Sequence, residues 1–238
     1  MKRLETKNGT PISRLGFGAM QFGRNADEDS AREMFEMCIS AGINHFDTAY
    51  SYTGGESERI LGPLVAPVAD DSLVATKAPN DRPPSAQNLR ASYEESRKRL
   101  GIDVIDLYYL HRFDAETELE ETFGTLAEMQ SRGMIRHIGV SNFAAWQIMK
   151  AQAVCAKFGT QIDVCQPMYN LVKRQVEVEI LPACEDQDIA VCPFSPLGGG
   201  LLTGKYVDGA AGRLKDDRTY AARYGQPWMH KAARGLSA

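Results

Sequence analysis

The sequence predicts an α/β fold of TIM-barrel type, with parallel strands alternating with helices. Three observations predict it. Compact apolar runs recur about every thirty residues, each followed by an amphipathic helix or the start of one, and that alternation requires parallel pairing. There are seven such strands with no sign of a topological break, which favours a barrel over an open doubly wound sheet. No G-x-G-x-x-G follows any strand, and Gly16 and Gly18 are not followed by helix-opening glycines, which counts against a Rossmann fold.

Taken in order, Arg3 to Leu15 holds Asn8-Gly9 between short alternating runs, a β-hairpin signal. Leu15 to Met20 reads as a strand. Asn25 to Asp29 opens a helix with acids where the macrodipole favours them; its apolar face is Met34, Phe35, Cys38 and Ile39, and it ends at Gly42. Strand Ile43 to Phe46 breaks into a polar cluster at Asp47, Thr48, Tyr50, Ser51 and Tyr52, before a short helix with Glu58, Ile60 and Leu61 stopped at Gly62. Leu73 to Thr76 is a buried-strand pattern ending at Lys77. Ser85 caps a helix carrying Leu89, Tyr93 and Leu100 on one face, closed by Gly101. Strand Ile105 to Leu110 ends at His111, and Thr117 with Glu120 forms a capping box for a helix closed by Gly133. Strand Ile135 to Val140 ends at Ser141-Asn142; helix Phe143 to Phe158, strand Ile162 to Cys165 ending at Gln166, helix Gln175 to Asp186 and strand Ile189 to Phe194 follow. Residues 1–238 read as a single barrel domain.

Composition narrows the partners. A formal net charge of -4 gives no basic field to gather nucleic acid or an anionic membrane, so a small molecule is the expected partner. No run of about 18 apolar residues occurs and the opening MKRLETKNG lacks a signal-peptide core, so a cytoplasmic location is expected. The five cysteines form no C-x-x-C pair and sit in apolar patterns, as reduced structural residues. Four histidines, none at i, i+4 spacing, make a zinc site improbable, and no metal is expected. Ser195 to Lys205 (SPLGGGLLTGK) is glycine-rich without P-loop spacing.

The strand ends carry the chemistry. In barrels of this type the C-terminal rim holds the active site, and here the rim collects Asp47, Tyr52, Lys77, His111, Ser141, Asn142, Gln166, Phe194 and Ser195. Each has a plain explanation alone: a turn acid, a core histidine, a solvated lysine, a helix N-cap. Together, an acid, a phenol, a lysine and an imidazole suit proton donation to a carbonyl. An ammonium lowers a phenol's pKa, a buried carboxylate keeps the ammonium charged, and an imidazole orients the carbonyl oxygen. Tyr52 is then the acid, Lys77 its tuner, Asp47 the anchor and His111 the orienting donor. A Schiff-base lysine at Lys77, as in an aldolase, leaves Asp47 and Tyr52 without a role.

These residues resemble the aldo-keto reductases over essentially the whole chain. The pattern D-T-A-x-x-Y-x-x-G-x-S-E-x-x-L-G is matched by Asp47 to Gly62 without a gap, with Lys77, His111, Ser141-Asn142 and Gln166 in the family's order. Runs such as ATKAPN, QPMYN and PLGGGLLTGKY look most like the aflatoxin-aldehyde and succinic-semialdehyde reductase branch. The resemblance implies a (β/α)8 barrel and NADPH-dependent reduction of aldehydes or ketones. It places Met20, Asp47, Ser141, Asn142 and Gln166 at the cofactor, the last three on the nicotinamide carboxamide. Phe194 would stack on the nicotinamide, and Ser195, Pro196, Leu197, Gly199, Gly200, Leu201 and Lys205 would lie along the pyrophosphate. Tyr52, His111 and Arg223 are assigned to the substrate, Arg223 as an anion-binding arginine. A monomer or homodimer is expected, and a non-catalytic cofactor-binding or regulatory barrel subunit is the alternative. The family's eighth βα unit has no counterpart before Ala238, so the chain as written is expected to bind NADPH poorly and to associate or unfold easily.

Overall fold

The computed structural model describes residues 4–206 and 211–236. Strands β1 (Phe17–Gly18), β2 (His45–Asp47), β3 (Leu73–Lys77), β4 (Ile105–Leu110), β5 (Ile135–Ser141), β6 (Val164–Gln166) and β7 (Ala190–Val191) form one curled sheet in sequence order, every neighbouring pair parallel. Helices α1 (Glu28–Ser40), α2 (Glu56–Val65), α3 (Ala86–Leu100), α4 (Leu119–Ser131), α5 (Ala145–Lys157) and α6 (Ile180–Asp186) connect them. Past β7 come a 3-10 turn, Gly198–Thr203, and helices α7 (Arg213–Asp216), α8 (Arg218–Tyr224) and α9 (Pro227–Leu236). This is the barrel-type α/β architecture expected from sequence.

Side-chain alternation along the strands divides the core. Val74, Tyr108, Ile138, Val140 and Cys165 pack outward with Phe35, Leu89, Phe123, Leu126 and Ile148 of the helices. Leu73, Ala75, Leu107, Tyr109 and Val164 face the interior with Leu4 and Ile12 of the N-terminal turn. That turn caps the end where the strands begin. Arg136 at the start of β5 donates to the Glu5 and Thr6 carbonyls, at 3.1 and 3.3 Å, and the Asn8 N–H donates to the Asp70 carbonyl, 3.1 Å. The hairpin itself is one antiparallel bridge, Glu5 to Pro11. Gly9 alone takes the positive φ, so Asn8-Gly9 does not form the type I′ turn that the dipeptide favours.

Several boundaries differ from the sequence expectation for identifiable reasons. The strand predicted over Leu15 to Met20 shrinks to two residues in a stretch punctuated by Gly16 and Gly18. The helix does not stop at Gly62 but runs to Val65; Gly62 is there because a Cβ would meet the Arg99 and Leu100 carbonyl oxygens at 2.7 Å, where α2 crosses α3. Thr117 caps nothing: it donates to Asp114 while Glu118 precedes the first turn of α4. The helix predicted from Gln175 splits into a 3-10 turn and α6, because Pro182 in the first turn of α6 would collide with the Val178 carbonyl in a continuous helix. No helix among the described residues is long and apolar enough to cross a membrane.

Candidate active site

At the C-terminal ends of the strands lies a cavity of about 840 Å³. Asp47 ends β2 and Lys77 ends β3, so one strand register sets the acid beside the base. The Lys77 ammonium, 1% exposed, donates to Asp47 Oδ1 at 2.5 Å and to the Thr48 carbonyl at 2.7 Å. The other Asp47 oxygen accepts from Gln166 Nε2, 2.9 Å, at the end of β6. Tyr52 sits in the 3-10 turn after β2, with Lys77 Nζ 5.0 Å from its ring centroid. The His111 ring meets it edge-on at 5.8 Å. Asp47, Tyr52 and His111 line the cavity; Lys77 lies beneath them, outside its lining.

The electrostatics follow from burial. For Lys77 burial is the largest single influence and opposes the charge, but the Asp47 carboxylate and the Tyr52 phenol outweigh it, and its pKa rises. His111 is pushed down to about 4, first by burial and then by the Lys77 ammonium, so its imidazole is neutral at neutral pH. From sequence, an adjacent ammonium is expected to lower the Tyr52 pKa. Lys77 does pull it down, but burial, the largest influence, leaves the phenol above its ordinary value. Tyr52 is therefore a neutral phenol at neutral pH.

Most predicted contact residues share this cavity: Met20, Ser141, Asn142, Gln166, Phe194, Ser195, Pro196, Leu197, Gly199, Gly200, Lys205 and Arg223 all line it. Ser141 donates to the Gln166 carbonyl, 2.9 Å, and Asn142 Nδ2 to the His111 carbonyl, 2.9 Å, so neighbouring strand ends are tied. Asn142 and Ser195 have φ of 58° and 56°, and Thr53 beside Tyr52 has 49°; strained backbone of this kind gathers at functional sites. Leu201 departs from expectation. It is 3% exposed, turned away from the cavity among Val172, Leu214, Tyr224 and Met229, and anchors the loop instead of facing a ligand.

Other residues were not foreseen. His45 shares the inward face of β2 with Asp47, two residues apart, and lines the cavity; the period of two in the strand was the available signal. Cys192 also lines the cavity wall, and burial raises its thiol pKa to about 12. Arg213, Tyr220 and Arg112 join Arg223 at the wall. Arg213 donates to the Tyr220 hydroxyl, 3.2 Å, and the Arg213 and Arg223 guanidinium carbons lie 5.3 and 6.0 Å from the Tyr220 centroid. Among the described residues the lining holds Arg112, Lys205, Arg213 and Arg223 against Asp47 as its one carboxylate, and Asp47 is already paired. The cavity suits anionic ligands. No cluster of three metal-ligating side chains occurs among the described residues.

A model of the Aldo/keto reductase family matches residues 14–237. The chain is 34% identical over 215 residues to a "Probable voltage-gated potassium channel subunit beta" of Oryza sativa subsp. japonica, covering 85% of this chain and 66% of that protein. It is 36% identical to "Uncharacterized oxidoreductase YrpG" of Bacillus subtilis (strain 168), covering 87% and 69%. It is 32% identical to "Aflatoxin B1 aldehyde reductase member 2" of Rattus norvegicus, covering 90% and 60%. The chain thus spans between 60% and 69% of the length of these three relatives.

Proposed function

This chain belongs to the aldo/keto reductase family, and from that premise we propose that it reduces an aldehyde or ketone to the alcohol with NADPH, Tyr52 supplying the proton. The carrying observation is the convergence of Tyr52, the buried Lys77–Asp47 pair and neutral His111 on one cavity. The donor set fits a nicotinamide cofactor. Ser141, Asn142 and Gln166 offer hydroxyl and amide groups for a carboxamide, Phe194 offers a ring, and the loop from Ser195 to Lys205 with Arg213 offers backbone N–H groups and cations for phosphates. When bound, NADPH supplies the hydride for the carbonyl carbon. The chain's own groups do the rest: Tyr52 and His111 hold the carbonyl oxygen, the Tyr52 proton passes to it, and the Lys77 ammonium stabilises the phenolate that remains. Hydride and proton together balance the two-electron reduction.

A Schiff-base role for Lys77 is disfavoured because its ammonium is bonded beneath the cavity to Asp47 and the Thr48 carbonyl. The competing reading is a non-catalytic barrel subunit; the rice relative is named as a channel subunit. Retention of all four residues of the proton-donating set favours the enzyme. NADPH titration with and without aldehyde separates the two, since a subunit without activity binds cofactor and leaves it reduced.

With Lys205 and Arg213 given to the cofactor's phosphates, Arg112 and Arg223 remain in the lining, and we read Arg223 as a fork for a carboxylated aldehyde. Arg223→Ala is expected to raise KM for such a substrate by about 10-fold or more, the scale of one lost charge-assisted hydrogen bond. A neutral aromatic aldehyde should be little affected. Equal effects on both substrates would remove Arg223 from recognition.

A further inference from the structure

We propose that Arg99 is the positioning residue for the proton donor, a clamp that fixes the turn carrying Tyr52 against the strand end carrying Lys77, which rests on Tyr52 being the acid. Arg99 comes from the last turn of α3, outside the cavity lining, and is 11% exposed at its side chain. Its Nη1 donates to the Tyr50 carbonyl and to Glu58 Oε2, both at 3.1 Å. Its Nη2 donates to Glu95, which also accepts from the Tyr50 hydroxyl at 2.7 Å. The guanidinium carbon lies 4.5 Å from the Tyr50 ring centroid, so Arg99 grips the backbone, the ring and the hydroxyl partner of one residue.

Both grips lead to Lys77. The Tyr50 N–H donates to the Lys77 carbonyl, 3.1 Å, so the residue that Arg99 holds is itself hydrogen-bonded to the catalytic strand. Glu58, fully buried, accepts from Thr76 Oγ1 at 2.7 Å, and Thr76 precedes Lys77. The turn from Tyr52 to Gly55 rests on the guanidinium: a Cβ on Gly55 would lie 2.6 Å from Arg99 Cζ. A buried ion pair is weak evidence for a stabilising role, since packed apolar residues serve as well. What apolar residues cannot do is join a carbonyl on one segment to a carboxylate on another. The guanidinium does this with two nitrogens at once, Nη1 on the Tyr50 carbonyl and Glu58 and Nη2 on Glu95, while its carbon lies over the Tyr50 ring; a single ammonium on a shorter stem cannot occupy both places.

Arg99→Ala risks the fold by leaving Glu58 buried without a cation, so the informative variant is Arg99→Lys, which keeps the charge and loses the fork. Its kcat per bound NADPH is expected to fall about 10-fold or more, since a misplacement of about 1 Å costs that much or more. Aldehyde KM and NADPH Kd should stay within about twofold, the pattern of an interaction realised only in the transition state. A merely stabilising residue would change the folded fraction and leave turnover per bound cofactor untouched. The second readout is amide exchange at Tyr52, whose N–H donates to the Ala49 carbonyl at 3.1 Å. It should quicken in Arg99→Lys while the β3 amides do not. Where wild type is active, kcat in Arg99→Lys within about twofold of wild type overturns the clamp. If wild type reduces no aldehyde, the acid assignment of Tyr52 falls by itself, and unchanged exchange at Tyr52 would overturn the clamp separately.

Discussion

Tyr52→Phe is expected to lower kcat by about 10²-fold or more, the scale of general acid catalysis, with NADPH affinity nearly unchanged. The phenol faces the cavity between the His111 ring and the Lys77 ammonium, and among the described residues no other phenol lining that cavity has a buried ammonium 5.0 Å from its ring. Phe keeps the ring, its edge-on contact with His111 and its packing, and removes the proton. The substitution therefore separates chemistry from architecture. Wild-type turnover in a folded Tyr52→Phe would sink the assignment, and Tyr220, near enough to Tyr52 to act on it electrostatically, would be the next donor to consider.

Lys77→Met carries the second large effect, on both activity and stability. Losing the ammonium leaves the Asp47 carboxylate, 14% exposed, with Gln166 as its side-chain donor, and breaking a buried pair on one side costs about 3–5 kcal/mol. In the proposed mechanism Tyr52 also loses the cation that would stabilise its phenolate, so kcat should fall by about 10²-fold or more. The double variant Lys77→Met/Asp47→Asn removes both charges and should recover much of the lost melting temperature while kcat stays low. A double variant as unstable as the single one would show that the ion pair does not set the cost. Activity recovered along with stability would show that Lys77 serves the fold and not the reaction.

The fold was legible where each element states itself twice, by its pattern and by its stop signal. Leu73 to Lys77 and Ile105 to Leu110 match their strands to within a residue because they are mostly apolar, broken before their ends by Thr76 and Asp106 alone, and buried on both faces. The strand at Ile189 to Phe194 was overread. Pro193 has no N–H to give a ladder, and beyond Ala190–Val191 there remain the Cys192 hydrogen bond to the Cys165 carbonyl, 2.9 Å, and an isolated parallel bridge at Phe194, which donates to the Pro167 carbonyl at 2.9 Å and accepts from the Tyr169 N–H at 3.3 Å. Thr117 and Glu120 had capping-box spacing, yet Glu120 pairs with Lys157 at 2.7 Å on the neighbouring helix, a tertiary partner that spacing does not reveal.

The candidate site was legible in proportion to how closely its residues follow strands. Asp47, Lys77, His111, Ser141, Asn142 and Gln166 end or follow strands, so a barrel reading puts them on one rim at once. Arg213 and Tyr220 belong to short helices beyond the glycine run, where no strand fixes a direction, and only the folded chain brings them to the cavity. Leu201 was misplaced for the complementary reason. A glycine-rich run reads as uniformly exposed loop, whereas this one needs an apolar peg to hold its shape, and Leu201 is that peg. Within the Asp47 to Gly62 motif, Ser57 bridges the Thr48 hydroxyl and the Ala19 carbonyl, at 2.7 and 2.8 Å, and Glu58 is the buried partner of Arg99. Those two motif positions tie the turn to its surroundings, whereas Asp47 and Tyr52 line the cavity.

The most direct measurement is the fate of the hydride. NADPH deuterated at the transferable C4 position is incubated with this chain and a panel of carboxylated and neutral aldehydes, and the alcohols are weighed by mass spectrometry. Expected is one deuterium on the former carbonyl carbon for each NADPH consumed, fastest with a carboxylated aldehyde and nearly abolished in Tyr52→Phe. NADPH that binds saturably yet leaves every aldehyde free of deuterium would contradict the proposed reduction and leave the barrel as a cofactor-holding subunit.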